Sequence, residues 1–150
     1  MLRRLDLVVG AVHSHFKLTR TSQTERLMHA MDQQYIRIMA HPTGRLIGER
    51  EAYEVDLERL IGHARERGCF LELNAHPDRL DLNDIGCRMA RDGGVQVAIS
   101  SDAHDENGYA ALRFGVGQAR RGWLECKDVI NTLPLQELRT RLKPTMAGAS

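Results

Sequence analysis

The sequence predicts an α/β protein in which a parallel sheet is covered by helices. Three observations predict it. Short apolar runs without polar alternation recur at Leu7–Val12, Ile36–Ala40, Cys69–Leu73 and Val95–Ser100. Such runs suit strands buried on both faces, as parallel strands are. Between them lie stretches with apolar residues at helical spacing, and the strand–helix unit returns about every 30 residues. Four units make either a small open sheet or part of a longer fold, since a β/α barrel normally takes roughly 200 residues or more.

The elements follow in order. The first strand ends at His13. Ser22-x-x-Glu25 is a capping-box pattern, opening a helix with Leu27, Met28 and Met31 on one face. The second strand, Ile36 to Ala40, ends at His41-Pro42, where proline turns the chain. Thr43 to Glu51 is a polar loop. Val55, Leu57, Leu60, Ile61 and Ala64 have helical spacing, and Gly68 is a helix stop. The third strand runs into Asn74-Ala75-His76-Pro77. Asn83 caps a helix through Ile85, Met89 and Ala90, which Gly93-Gly94 stops. The fourth strand ends in Ser101-Asp102-Ala103-His104. Tyr109 to Arg121 is expected to be helical, with Gly115 and Gly117 weakening its middle. Val129 to Leu133 is an apolar run of either type, and Pro134 opens a terminal helix through Leu135, Leu138 and Leu142.

Composition excludes several classes. With 42% hydrophobic and 27% charged residues the chain is an ordinary globular one. A net charge of +1 carries no global signature of nucleic acid or membrane binding. From Arg113 to Lys143 there are seven basic and three acidic residues, which reads equally as a basic face or a solvated helical surface. Cys69, Cys87 and Cys126 are too far apart for a disulfide framework or a zinc knuckle. Met1-Leu2-Arg3-Arg4 and the apolar run after it resemble a signal peptide only faintly, because Asp6 interrupts the run. No run has the roughly 18 apolar residues of a membrane span. A cytoplasmic protein without a membrane partner is expected.

The chemistry lies at the strand ends. His13, His41, Asn74 and Asp102 follow the four apolar runs at intervals of 28, 33 and 28 residues, with His104 two beyond Asp102. Sites in parallel α/β folds form at the carboxyl ends of the strands. Side chains two apart at a strand end point the same way, so Asp102 and His104 suit a shared ion. Imidazole mixed with carboxylate suits Zn, Mn or Fe. His29 and His63 fall within helices and His15 in a loop, and none is assigned chemistry. The sequence has no nucleophile elbow, P-loop or dinucleotide fingerprint.

Five stretches, Val12-His13-Ser14, His41-Pro42-Thr43-Gly44-Arg45, Leu71 to Leu82, Ser101-Asp102-Ala103-His104 and Ile130-Asn131-Thr132-Leu133-Pro134, resemble the PHP (polymerase and histidinol phosphatase) domain, in particular that of bacterial family X DNA polymerases. The resemblance implies a distorted seven-stranded, TIM-like barrel with a trinuclear site of Mn or Zn at its C-terminal face. It also implies 3′-5′ exonuclease and phosphoesterase activity on DNA 3′ ends, in DNA repair. By resemblance, His13, His41, Asp102 and His104 match metal ligands, Arg45 is a phosphate contact and Asn74 faces the site. The family's opening His-x-His motif, a Thr-Asp-His motif, a bridging glutamate and the polymerase domain all precede the strand that ends here at His13. Residues 1–150 are therefore expected to be one domain, the C-terminal portion of a PHP module, incomplete and weakly active or inactive alone. Its two open sheet edges would be covered by self-association or by a separate N-terminal PHP chain. Two other readings stay open: a small-molecule phosphatase of the histidinol-phosphatase type, and a non-catalytic metal-binding module.

Overall fold

A computed structural model describes residues 2–143. Strands β1 (Val8–Gly10), β2 (Ile36–Met39), β3 (Phe70–Asn74) and β4 (Val97–Ser100) alternate with helices α1 (Arg20–Met31), α2 (Leu57–Arg67), α3 (Asp84–Asp92) and α4 (Leu112–Arg121); helix α5 (Leu135–Leu142) follows. The strands form one open parallel sheet in the order β1-β2-β3-β4. The predicted β/α arrangement is thus present, as an arc of four strands and not as a closed barrel. Of the signal-like start, Met1 lies outside the described residues and Leu2–Arg4 form a single 3-10 turn. No described helix is long and apolar enough to cross a membrane.

Local chemistry explains most boundaries. Asp56 and Asn83 cap α2 and α3, their side chains accepting from Arg59 N at 3.1 Å and Gly86 N at 2.7 Å. Gly68 ends α2 in the left-handed conformation, at φ +63°. The expected start of α1 at Ser22 is corrected: Thr19 is the cap, accepting from Ser22 N at 3.3 Å. The helix expected from Tyr109 also starts later, because Asp105 accepts from the amides of Asn107 and Gly108 and opens a 3-10 segment, Glu106–Ala111, before α4. Gly115 does not merely weaken α4. A Cβ there would lie 2.6 Å from Ala75 Cβ and 2.7 Å from Ile99 Cγ2, so glycine lets the helix lie directly on the sheet.

The sheet is covered on both faces, which is why its strands are mostly apolar, with Arg37 and Glu72 the buried charged residues within them. On one side Met39, Leu71, Leu73, Val97 and Ile99 pack in the main core with Leu27, Leu60, Ala64 and Ala90 from α1, α2 and α3. On the other, Ile38, Phe70, Ala98 and Ile130 meet Leu133, Leu138 and Leu142. The ambiguous run at Val129 is a 3-10 turn, Ile130–Thr132, after a parallel bridge from Val129 to Val97. Asn131 then accepts from Ile99 N at 2.8 Å and donates to Ile99 O at 2.9 Å. The side chain does what a neighbouring strand would do, so the β4 edge is closed and the expectation of two open edges is corrected to one. Among the described residues nothing pairs with the outer side of β1. Beside it lies a hollow of about 260 Å³ lined by Leu7, Val9, Ile38, Ala98, Ile130 and Leu138.

The basic stretch near the C-terminus is an exposed, partly paired surface: Arg121 meets Asp84 at 3.3 Å, Lys127 meets Glu125 at 2.9 Å and Arg141 meets Glu137 at 3.2 Å. All three cysteines are free.

Candidate functional site

His41 stands two residues past β2, and its environment is unlike that of an ordinary loop histidine. The residue is buried and its backbone has φ +31°, a region that L residues rarely adopt. Its N–H leaves the sheet ladder and donates to Glu72 Oε2 at 2.7 Å. The ring of His13, from the loop after β1, stands edge-on to the ring of His41 with centroids 5.3 Å apart. Burial, and secondarily the Arg79 guanidinium, hold the His41 imidazole down at about 4, so the ring is neutral at physiological pH and keeps a free lone pair. Its Nδ1 is buried and has no hydrogen-bond partner.

Asp102, two residues past β4, has φ +55° and an ion pair to Arg79 Nε at 3.5 Å. It lies close enough to His41 to oppose the depression of that ring's pKa. His104 is exposed, with Nδ1 2.7 Å from the carbonyl oxygen of Asp102. The structure therefore brings His13 and His41 together, with Asp102 and Arg79 beside them, and turns His104 back on its own loop. Among the described residues no three His, Cys, Asp or Glu side chains converge closely enough to hold an ion. The donors nonetheless fit a divalent cation in kind: two neighbouring imidazoles, one with an orphaned buried nitrogen, and a nearby carboxylate.

Arg45 and Asn74 are occupied internally. The Arg45 guanidinium donates through Nε to Arg79 O at 2.6 Å and through a terminal nitrogen to Leu80 O. It thereby fixes the backbone of the loop that carries Arg79. Asn74 is buried; its Oδ1 accepts from His76 N at 3.0 Å and its Nδ2 donates to Glu72 Oε2 at 3.4 Å. Asp81, fully buried, holds the other side of the same loop, accepting from Thr43 N at 3.0 Å. Burial pushes the Asp81 carboxyl up to about 6. His63 pairs with Asp32 at 3.0 Å, bridging α2 to the end of α1.

Sequence reasoning missed two residues. Glu72 lies inside a run read as apolar strand. A carboxylate within a strand buried on both faces was the available signal, since unpaired buried charge is costly. Arg79 sits in the loop after β3, and nothing in its spacing marks it as facing the site.

No protein-family model matches the chain. It is 40% identical over 143 residues to the DNA polymerase/3′-5′ exonuclease PolX of Bacillus subtilis, a match covering 95% of this chain and 25% of that protein. A probable phosphatase of Caldanaerobacter subterraneus is 29% identical over 113 residues, covering 69% of this chain and 42% of the relative. A probable phosphatase of Acetivibrio thermocellus is 28% identical over 145 residues, covering 87% and 55%. The chain thus spans between a quarter and just over half the length of these relatives.

Proposed function

Because the chain belongs to the PHP family of these relatives, we propose that it is the metal-binding half of a phosphoesterase module whose substrate is a phosphodiester at a DNA 3′ end. The observation that carries this reading is the His13–His41 pair at adjacent strand ends, with the buried Nδ1 of His41 left unpartnered. Of the family's Mn or Zn ligands, His13, His41, Asp102 and His104 would be those on this chain. A bound divalent ion would lower the pKa of water and neutralise phosphate charge.

This chain's own residues contribute in other ways. The neutral imidazole of His41 offers a lone pair without a proton to displace. Asp102 supplies negative charge, which Arg79 balances while the site is empty of substrate. Arg79, paired with Asp102, would be the basic side chain facing the ligands, while Arg45 donates to the Arg79 carbonyl. On binding, its planar guanidinium would exchange Asp102 for a phosphate oxygen. Arg45 and Asn74 would act through the loop and strand they hold in place.

The open β1 edge and the hollow beside it would be covered by further strands of the same barrel, carried on another chain or supplied by self-association. The names of the two phosphatase relatives favour a second reading, a small phosphate monoester as substrate. Purified protein in Mn²⁺ is tested on a single-stranded oligonucleotide and on p-nitrophenyl phosphate. Weak, chelator-sensitive release of 3′ nucleotides that His41→Ala abolishes supports the first reading. Activity on the monoester alone supports the second. Turnover that chelator and His41→Ala leave unchanged refutes both.

A further inference from the structure

Glu72 sits on β3 two residues before Asn74, on the face opposite Leu71 and Leu73. Its carboxylate touches three strand ends at once. Oε2 accepts from the backbone N–H of His41, just past β2, at 2.7 Å, and from Asn74 Nδ2 of β3 at 3.4 Å. Oε1 accepts from the hydroxyl of Ser100, the last residue of β4. Ser100 stands two residues before Asp102. The preceding amide, Ala40 N, is still in the sheet ladder, donating to Gly10 O at 2.8 Å. At His41 the chain turns into the left-handed region and its N–H points at the sheet's other face. Without an acceptor there, a buried N–H would be orphaned and the chain would relax towards ordinary geometry.

We propose that Glu72 is the positioning residue of the site: by holding the His41 N–H and the Ser100 hydroxyl, it fixes the His41 ring against His13 in the orientation that presents it to a divalent cation. The consequence for metal rests on the reading above; the geometry does not. A carboxyl group suits the place because Oε2 accepts from two N–H donors, His41 N and Asn74 Nδ2, while Oε1 meets the Ser100 hydroxyl. A glutamine must keep its oxygen on the His41 and Asn74 N–H groups, which turns its N–H₂ to Ser100 and forces that hydroxyl from donor to acceptor. Asn74 and Ser100 in turn orient Glu72, which gives Asn74 a role without any contact to substrate.

The test uses the full chain, ¹⁵N-labelled, as wild type, Glu72→Gln, Ser100→Ala and Ile61→Val, the last a core change remote from the site. In chelator, amide exchange at His41 and the ring-to-ring nuclear Overhauser effect between His13 and His41 are measured. Mn²⁺ alone is then titrated by calorimetry. The expected results for Glu72→Gln are His41 exchange at least about 10-fold faster than in wild type, loss of the ring effect, and Mn²⁺ affinity lower by roughly 10- to 100-fold, the usual consequence of removing a residue that orients a metal-binding histidine. Ile61→Val should lower thermal stability while leaving all three readouts unchanged. If Glu72→Gln does not fold, Ser100→Ala carries the same test with a smaller effect in the same direction. An unperturbed His41 amide and ring contact, or Mn²⁺ affinity within about twofold of wild type, overturns the proposal. Wild-type protein that binds no Mn²⁺ refutes the metal reading, while the exchange and ring measurements still decide whether Glu72 positions His41.

Discussion

Asn131→Ala should destabilise the protein and make it associate. The Asn131 amide makes two hydrogen bonds, at 2.8 and 2.9 Å, to the N–H and C=O of Ile99 on β4. A typical intramolecular hydrogen bond contributes a net 0.5–1.5 kcal/mol, roughly, and a buried group left unsatisfied costs about 1–3 kcal/mol. Ile99 is only 9% exposed, so water replaces the lost partners incompletely, and the two bonds together amount to roughly 2–3 kcal/mol. For a chain of 150 residues each kcal/mol moves Tm by about 3 °C, giving a fall of roughly 6–9 °C by circular dichroism. The same substitution uncovers the Ile99 end of β4, leaving only the Val129 bridge at Val97 on that edge, and an unpaired parallel edge templates pairing with another chain. Sedimentation velocity should therefore show a larger weight-average mass for the variant than for wild type at equal concentration. A Tm within about 1 °C of wild type, or unchanged sedimentation, would show that the Asn131 bonds neither support β4 nor shield it.

Other outcomes are expected from the same structure. His41→Ala and Asp102→Ala should each lower the amount of Mn²⁺ or Zn²⁺ retained after desalting, while His63→Ala, which loses only a pair with Asp32, should retain the wild-type amount; equal retention in all three would remove the strand ends from the site. Gly115→Ala should cost about 1–3 kcal/mol in urea denaturation, because overpacking against Ala75 and Ile99 outweighs a helix-propensity gain of at most about 1 kcal/mol; a more stable variant would refute the close approach of α4. Burial raises the Asp81 carboxyl from 3.8 to about 6, so the folded state holds a proton there that the unfolded state has released. That contribution is fully present below the unfolded value and is lost as pH rises through 6. The stability of Asp81→Asn relative to wild type should therefore rise between pH 4 and 6, by on the order of 2 kcal/mol. A difference independent of pH would show that Asp81 ionises normally.

What could be read from the sequence was mostly what is decided locally. The strands were legible because Val, Ile and Leu run continuously through them, and the caps of α2 and α3 because Gly68 and Asn83 act within one turn. The start of α1 was not, because Thr19 and Ser22 carry the same capping chemistry one turn apart and the sequence does not rank them. Asn131 could not be recognised as an edge cap: its partner, Ile99, is 32 residues away and the bond replaces a strand that has no sequence of its own. The site divides in the same way. Placing His13, His41 and Asp102 at strand ends needed only the apolar runs before them. Exchanging Arg45 for Arg79 as the group facing those residues needed the path of the loop from His76 to Asp81, which Asp81 and Arg45 fix through contacts more than 30 residues apart.

Backbone strain separates the candidates further, though only in company with a second observation. His41 and Asp102 both have positive φ, but so do His15, Leu80 and exposed Trp123. Left-handed backbone on a non-glycine residue costs about 1–3 kcal/mol, and glycine would relieve it at any of the five. At Trp123 the turn that follows α4 is sufficient reason for the conformation. His41 differs because the strained residue is buried, because its N–H is taken up by a carboxylate from the next strand, and because its ring still leaves Nδ1 without a partner. A fold that needed only the turn would be better served there by glycine, which would also remove the buried unpaired nitrogen. An imidazole at that position is costly to the folded chain twice over, and a group bound at the nitrogen would offset part of that cost.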